Sequence, residues 1–196
     1  VYMIANTGEL LDMQQMQAEN VSEEEWKKTI LEMDNGTAAN IFTGSINLDG
    51  QGQPSQALTL KRGVARFDLN IDVTGSASIE KLTLSNVAQS AYLLPQDEGI
   101  KSPDNVIRKD MEVTFNTPLT TSTPAVLYVY EQENSGLEVS IEAVIDGQYK
   151  TLSKTLEGNL KRNTVYTVTV RKNDIDIVVK VGFEDWEQGN DTEIIP

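Results

Sequence analysis

Neither histidine nor cysteine occurs in this chain of 196 residues. Without cysteine there is no disulfide, no thiol nucleophile and no zinc–thiolate site. Without histidine the commonest general base and a frequent metal ligand are gone. Aromatic residues make up only 6%, too few for a dense sugar-stacking stripe. Cations are scarce: 16 Lys and Arg face 30 Asp and Glu, for a net charge of -14. Such a surface repels phosphate backbones and anionic lipid, so nucleic acid is excluded as a partner. No segment approaches the ~18 consecutive apolar residues of a membrane span. There is no Gly-x-Ser-x-Gly and no phosphate-binding glycine loop. Carboxylates are plentiful, but spacing singles out no acid–base pair: Glu138 and Glu142 read as one solvated strand face. No enzymatic activity and no cofactor is expected. What remains is a hydrophobic content of 39%, enough to bury a core, in a chain long enough for one large β domain or two of roughly 100 residues.

The chain opens on Val1-Tyr-Met-Ile-Ala5, a run that already reads as a strand. The expectation is therefore that residues precede it, a signal peptide among them. Ser22-Glu-Glu-Glu25 fits a capping box, and Trp26, Ile30 and Met33 follow at helical spacing. This predicts one short helix over 22–34, stopped by Asn35-Gly36. From Leu58 the period becomes two. Leu58 and Leu60 share one face, while Phe67, Leu69, Ile71 and Val73 hold the other phase. The slip requires a bulge or break near Gly63. Further strands are read at 79–87, 111–115, 125–130, 137–145, 149–156, 165–170 and 175–183, with Asp146-Gly147 as a hairpin turn. Phe67, Leu69, Ile71, Tyr166, Val168 and Val170 are expected in the core. Strands this short and regular point to antiparallel β-sandwiches. The polar stretch 95–110, with two prolines, is the candidate linker. It divides the chain into an N-terminal domain, 1–97, incomplete at its start, and a C-terminal domain, 98–196.

Two segments carry Lys-Arg tags: Leu60-Lys-Arg-Gly-Val-Ala-Arg-Phe-Asp-Leu69 and Leu160-Lys-Arg-Asn-Thr-Val-Tyr166. A terminal strand then ends near Trp186. With Val1-Tyr-Met-Ile-Ala-Asn6 these pieces, in this order, resemble the fimbrillin family (FimA-like and Mfa-like) of Bacteroidales surface fimbriae. The motif residues are Leu60, Arg62, Val64, Ala65, Arg66, Arg162, Asn163, Tyr166 and Trp186. The resemblance implies all-β architecture in two tandem transthyretin-like sandwiches. It implies export as a lipoprotein to the outer membrane and cell surface, and a role in cell adhesion as a stalk, tip or anchor subunit. It also implies other fimbrial subunits as partners, joined by β-strand exchange, and host or bacterial surface ligands as further partners. The tail Thr192-Glu193-Ile194-Ile195 is the candidate donor segment, weighed against a frayed terminus. A different class of function stays open: a surface glycan-binding module, for which Trp26 or Trp186 beside Tyr92 or Tyr149 would supply the platform. Packing is the simpler role for both tryptophans. Arg62, Arg66 and Arg162 read first as cations on solvent-facing strand surfaces. Asp49, Asp174 and Asp176 are weak calcium candidates, because no complete loop surrounds them.

Overall fold

The structure, a computed structural model, describes residues 1–8, 10–47 and 57–181. Its elements are β1 (Tyr2–Ala5), α1 (Met13–Ala18), α2 (Glu23–Lys27), β2 (Ile30–Glu32), β3 (Phe42–Ser45), β4 (Lys61–Arg62), β5 (Val64–Ile71), β6 (Ala77–Ala88) and β7 (Ser90–Tyr92). There follow β8 (Arg108–Leu119), β9 (Thr123–Tyr130), β10 (Glu138–Ile145), β11 (Gln148–Thr155), β12 (Thr164–Val170) and β13 (Ile175–Val181).

Two four-stranded sheets form an all-β sandwich, one in the order β11-β10-β6-β8 and the other β13-β12-β5-β9. The period of two does what it should. In β10 the side chains alternate strictly, with Val139, Ile141, Ala143 and Ile145 buried. In β5 and β12 the phases match across the sheet, so Phe67 and Tyr166 are register partners and their rings stack with centroids 5.2 Å apart. Leu69, Val168 and Val170 are buried with them, and Ile71 packs at the margin. The strand breaks at Gly63, between β4 and β5, where the Gly63 N–H donates to the Ile41 carbonyl. Asp146 and Gly147, both at positive φ, close the β10–β11 hairpin.

Several expectations are corrected. The pairing is not purely antiparallel: β5 and β12 run parallel, because the chain crosses to the other sheet and back between them. The strand expected from Leu58 begins only at Lys61. The helix expected over 22–34 is confined to α2, although its capping box is complete: the Ser22 hydroxyl accepts from the Glu25 amide, and Glu25 accepts from the Ser22 amide. Ile30 starts a strand instead, because β2 finds a partner in β7, which buries Leu31 and leaves Ile30 exposed. A second helix, α1, is capped by Asp12.

The division at 97/98 does not separate two sandwiches. Strands on both sides of 95–110 interleave in each sheet, β5 beside β9 and β12, β6 beside β8 and β10. One core accordingly runs from Ala65 to Ile175. The polar stretch with its prolines is the loop between β7 and β8 together with the first residues of β8. A second, smaller core lies elsewhere: Leu31, Ala38, Ile41, Ala91, Leu93 and Leu94 gather around Val64 and Tyr130 at one end of the sandwich. The short sheets β1-β3-β4 and β2-β7 belong to this layer.

Candidate interaction edge

The sequence motifs converge on the junction between the sandwich and this layer. Asn163, at φ 53°, donates its backbone N–H to the Val64 carbonyl, and its side-chain oxygen accepts from the Arg62 amide. The two Lys-Arg segments are thus one structure, brought together by the parallel β5–β12 pair. Val64 and Ala65 are fully buried, and Leu60 is half-buried. The Tyr166 hydroxyl accepts from the Lys161 amide, folding the strand's lead-in back onto itself. Burial pushes its pKa, and that of Tyr130, above the ordinary phenol value. The Tyr130 hydroxyl in turn accepts from the Ala39 amide.

The arginines are not a solvent-facing patch. Arg162 pairs through Nε with Glu131 at 3.1 Å, and the two side chains are only 8% and 12% exposed. Its Nη1 and Nη2 donate to the carbonyls of Leu93 and Tyr92. It therefore ties the loop after β7 to the start of β12. Arg66 is held by both carboxylate oxygens of Asp68, and Arg62 lies over the Phe42 ring at 4.7 Å. Spacing alone showed a strand face; only the docked layer turns Arg162 inward.

The binding platforms fare differently. Trp26 packs edge-on against Tyr2, ring centroids 5.1 Å apart, and is no open platform. Tyr149 is exposed, but its hydroxyl donates to Glu142. That carboxyl is also ion-paired with Lys81 at 2.7 Å and is held below the usual carboxylate range chiefly by it. Asp176 is occupied by Lys154 at 2.7 Å. Among the described residues no group of three or more acidic side chains stands ready for a metal. Asp49, Trp186 and Thr192, Glu193, Ile194 and Ile195 lie outside the described residues.

What the sequence reading missed is a difference between the two flanks of the sandwich. On one flank β11 and β13 end their sheets. There Lys150 and Lys154 take positions in line with inward-facing Leu152, in register with Ala143 and Val139. Lys150 caps the Lys172 carbonyl, and Lys154 bridges to Asp176 across the gap between the sheets. Lys172 also pairs with Asp146. The lysine partners hold both carboxyls below their ordinary pKa. Charges turned inward on an edge strand are a standard guard against further pairing.

On the other flank, formed by β8 and β9, the corresponding positions are Lys109, Met111, Val113 and Phe115, a cation at one end and apolar side chains beyond it. Val113 and Phe115 are only half-buried. Met111 and Val113 line a groove of about 640 Å³ that also meets Val126, Leu127, the turn at Asn35–Gly36 and the charged Lys109, Asp110 and Glu112. The β9 rim is interrupted by Pro124 and by Ala125, whose φ is 58° and whose N–H is taken by Asp68. The β8 rim runs free of proline from Lys109 to Thr117, roughly 30 Å at full strand rise, with register shifts against β6 between Leu84 and Val87 and between Ile79 and Lys81. An edge strand of that length offers a row of N–H and C=O groups, and the groove beside it can take alternate side chains. Period-two reading finds β8 but not its neighbours, so nothing local could show that it ends a sheet.

Comparison with known proteins agrees with this fold. The family model for a bacterial Ig-like domain (Big_5) matches residues 95–180. No curated protein sequence matches the chain. Among solved structures, a candidate cell adhesion protein from Parabacteroides distasonis ATCC 8503 superposes with a TM-score of 0.61 at 16% identity, covering 91% of this chain and 73% of that one. A candidate cell adhesion protein from Bacteroides eggerthii DSM 20697 gives 0.58 at 13% identity, covering 91% and 76%. The tip fimbrial protein Mfa3 from Porphyromonas gingivalis, with C-terminal truncation, gives 0.57 at 15% identity, covering 91% and 78%. The all-β sandwich expected from the sequence is therefore observed, and its fold is shared with a candidate cell adhesion protein and a tip fimbrial protein.

Proposed function

We propose that this chain is a structural subunit of a cell-surface fimbria with a role in adhesion, and that it joins its neighbours by β-strand addition along β8. The supporting observation is the contrast between the flanks: lysines bridge the gap beside β11 and β13, whereas β8 presents an edge free of proline from Lys109 to Thr117, beside a groove that meets Met111, Val113, Val126 and Leu127 and carries Lys109, Asp110 and Glu112 at its rim. A protein without partners normally blunts such an edge. The shared fold and the ordered motifs supply the setting, with export to the outer surface as a lipoprotein and neighbouring subunits as partners. The tail Thr192–Ile195 is the segment this chain would donate. A sugar-binding role gains less support, since Trp26 is packed against Tyr2.

The test uses bacteria that produce the protein. Antibody labelling of intact cells reports surface exposure, and electrophoresis after mild denaturation reports a ladder of assembled subunits. Val113→Lys should leave the surface label and abolish the ladder, whereas Thr151→Lys on the sealed flank should change neither. Unlabelled cells, or a ladder indifferent to Val113→Lys, would count against the proposal.

A further inference from the structure

We infer that the β8 edge selects a strand from a different protein, with apolar side chains at alternate positions and lysine, arginine or hydroxyl residues between them, and disfavours a second copy of this chain. This rests on the strand-addition reading above and names the partner at that same edge.

Charge placement carries it. Between the buried or half-buried Met111, Val113 and Phe115, β8 turns Asp110, Glu112 and Thr114 to its exposed face, with Asp110 and Glu112 also at the rim of the groove. A strand laid beside β8 must put its own outward side chains against these. Opposite charges at cross-strand positions stabilise, and like charges destabilise. Glu112 is weakly compensated: its side chain is 56% exposed and Lys81 lies 3.5 Å away, engaged more closely with Glu142 at 2.7 Å. Asp110 accepts from the Asn86 amide, and among the described residues no cation pairs with it. Exposed Asp34, at the foot of the Asn35–Gly36 turn, adds a further negative charge, with Lys109 the cation at this end of the rim.

The chain's own candidate donor region is a poor match for such a rim. From Gly182 onward it contains Glu184, Asp185, Glu187, Asp191 and Glu193, and neither lysine nor arginine. Docked on β8 of another copy, it would set acid against acid. Two copies, each with a net charge of -14, also repel at long range. The chain can donate its acidic tail elsewhere while accepting a basic strand here, which suits an ordered hetero-polymer.

The experiment is peptide binding to the full chain, followed by fluorescence anisotropy. Three labelled probes serve: a peptide alternating valine with lysine and threonine, its counterpart alternating valine with glutamate and threonine, and a peptide of residues 183–196. The basic probe should bind about tenfold tighter than the acidic one at low salt, the gap narrowing in about 0.5 M NaCl. Glu112→Lys should narrow or invert the preference. Equal affinity for the first two probes, or a tail peptide that binds as well as the basic one, overturns the partner assignment. If Val113→Lys still removes binding in that case, strand addition itself survives. No binding by any probe, or binding indifferent to both Val113→Lys and Glu112→Lys, removes the strand-addition reading as well. Glu112→Lys leaves the core untouched, so the charge test stands even where Val113→Lys does not fold.

Discussion

Replacing Arg162 with methionine tests how the N-terminal layer is held to the sandwich. Methionine keeps the aliphatic bulk but removes the guanidinium. The change leaves the Glu131 carboxylate, 12% exposed, without its partner at 3.1 Å. It also strips the carbonyls of Tyr92 and Leu93 of their donors at 3.0 Å. Hydrogen bonds from a charged donor are worth about 1.5–3 kcal/mol each, and orphaning one member of a buried ion pair costs about 3–5 kcal/mol. Water reaching the freed carbonyls offsets part of this, so the expected loss is about 3–4 kcal/mol. With a urea m-value of about 2 kcal/mol per M, the midpoint should fall by about 1.5–2 M. Pairing Arg162→Met with Glu131→Leu removes the uncompensated charge. The double variant should then recover at least about 1.5 kcal/mol relative to the sum of the single changes. Hydrogen exchange should accelerate at residues 29–33 and 90–94, where the Leu93 amide bonds to the Thr29 carbonyl, before it does in β10 or β12. A single-variant loss below about 1 kcal/mol, or strict additivity in the cycle, would refute the claim that Arg162 fastens the two layers.

Three further outcomes are expected. Phe67→Ala should cost about 3–5 kcal/mol in chemical denaturation, because it empties a fully buried site against Tyr166; a cost under 1 kcal/mol would mean the stack is not central. Gly63→Ala should cost about 1–3 kcal/mol, since a Cβ there comes within 2.7 Å of Ile41 Cγ1; unchanged thermal stability would show that the strand break has slack. Glu142, Asp146 and Asp176 have folded pKa values below the ordinary carboxylate range, held there first by Lys81, Lys172 and Lys154. Their stabilising contribution is therefore complete above the unfolded pKa, near 4, and is lost as pH falls through the lower folded value. With no histidine to titrate, calorimetric melting temperatures should stay level from about pH 6 to 9 and drop below about pH 4. A transition centred near pH 6.5 would contradict this assignment.

The sequence by itself determined whatever depends on neighbours within a few residues. Alternation in Val139–Ile145 and Tyr166–Val170 defines strands with one apolar face, because successive side chains point to opposite sides. The phase slip at Gly63 demands a break, Asp146-Gly147 supplies positive φ for a tight turn, and Ser22 with Glu25 closes a capping box. Each of these is set by local sterics or a short hydrogen bond. The absence of histidine and cysteine likewise bounds the chemistry without reference to shape.

Tertiary structure decided whatever depends on a partner distant in the chain. Ile30 and Met33 have helical spacing, yet β7 offers hydrogen bonds and burial for Leu31 that a single helical turn cannot. Residues 95–110 have a linker's composition, but β5 and β6 already stand between later strands, so one core spans that stretch. Arg162 looks like a solvated strand cation until Glu131 and two carbonyls enclose it. The open edge follows the same rule. Met111, Val113 and Phe115 alternate as any half-buried strand does; that β8 ends its sheet and lies beside β9 rather than another lysine-bearing strand is a fact of sheet order. Sheet order is fixed by long-range pairing and loop closure, and no short window of residues encodes it.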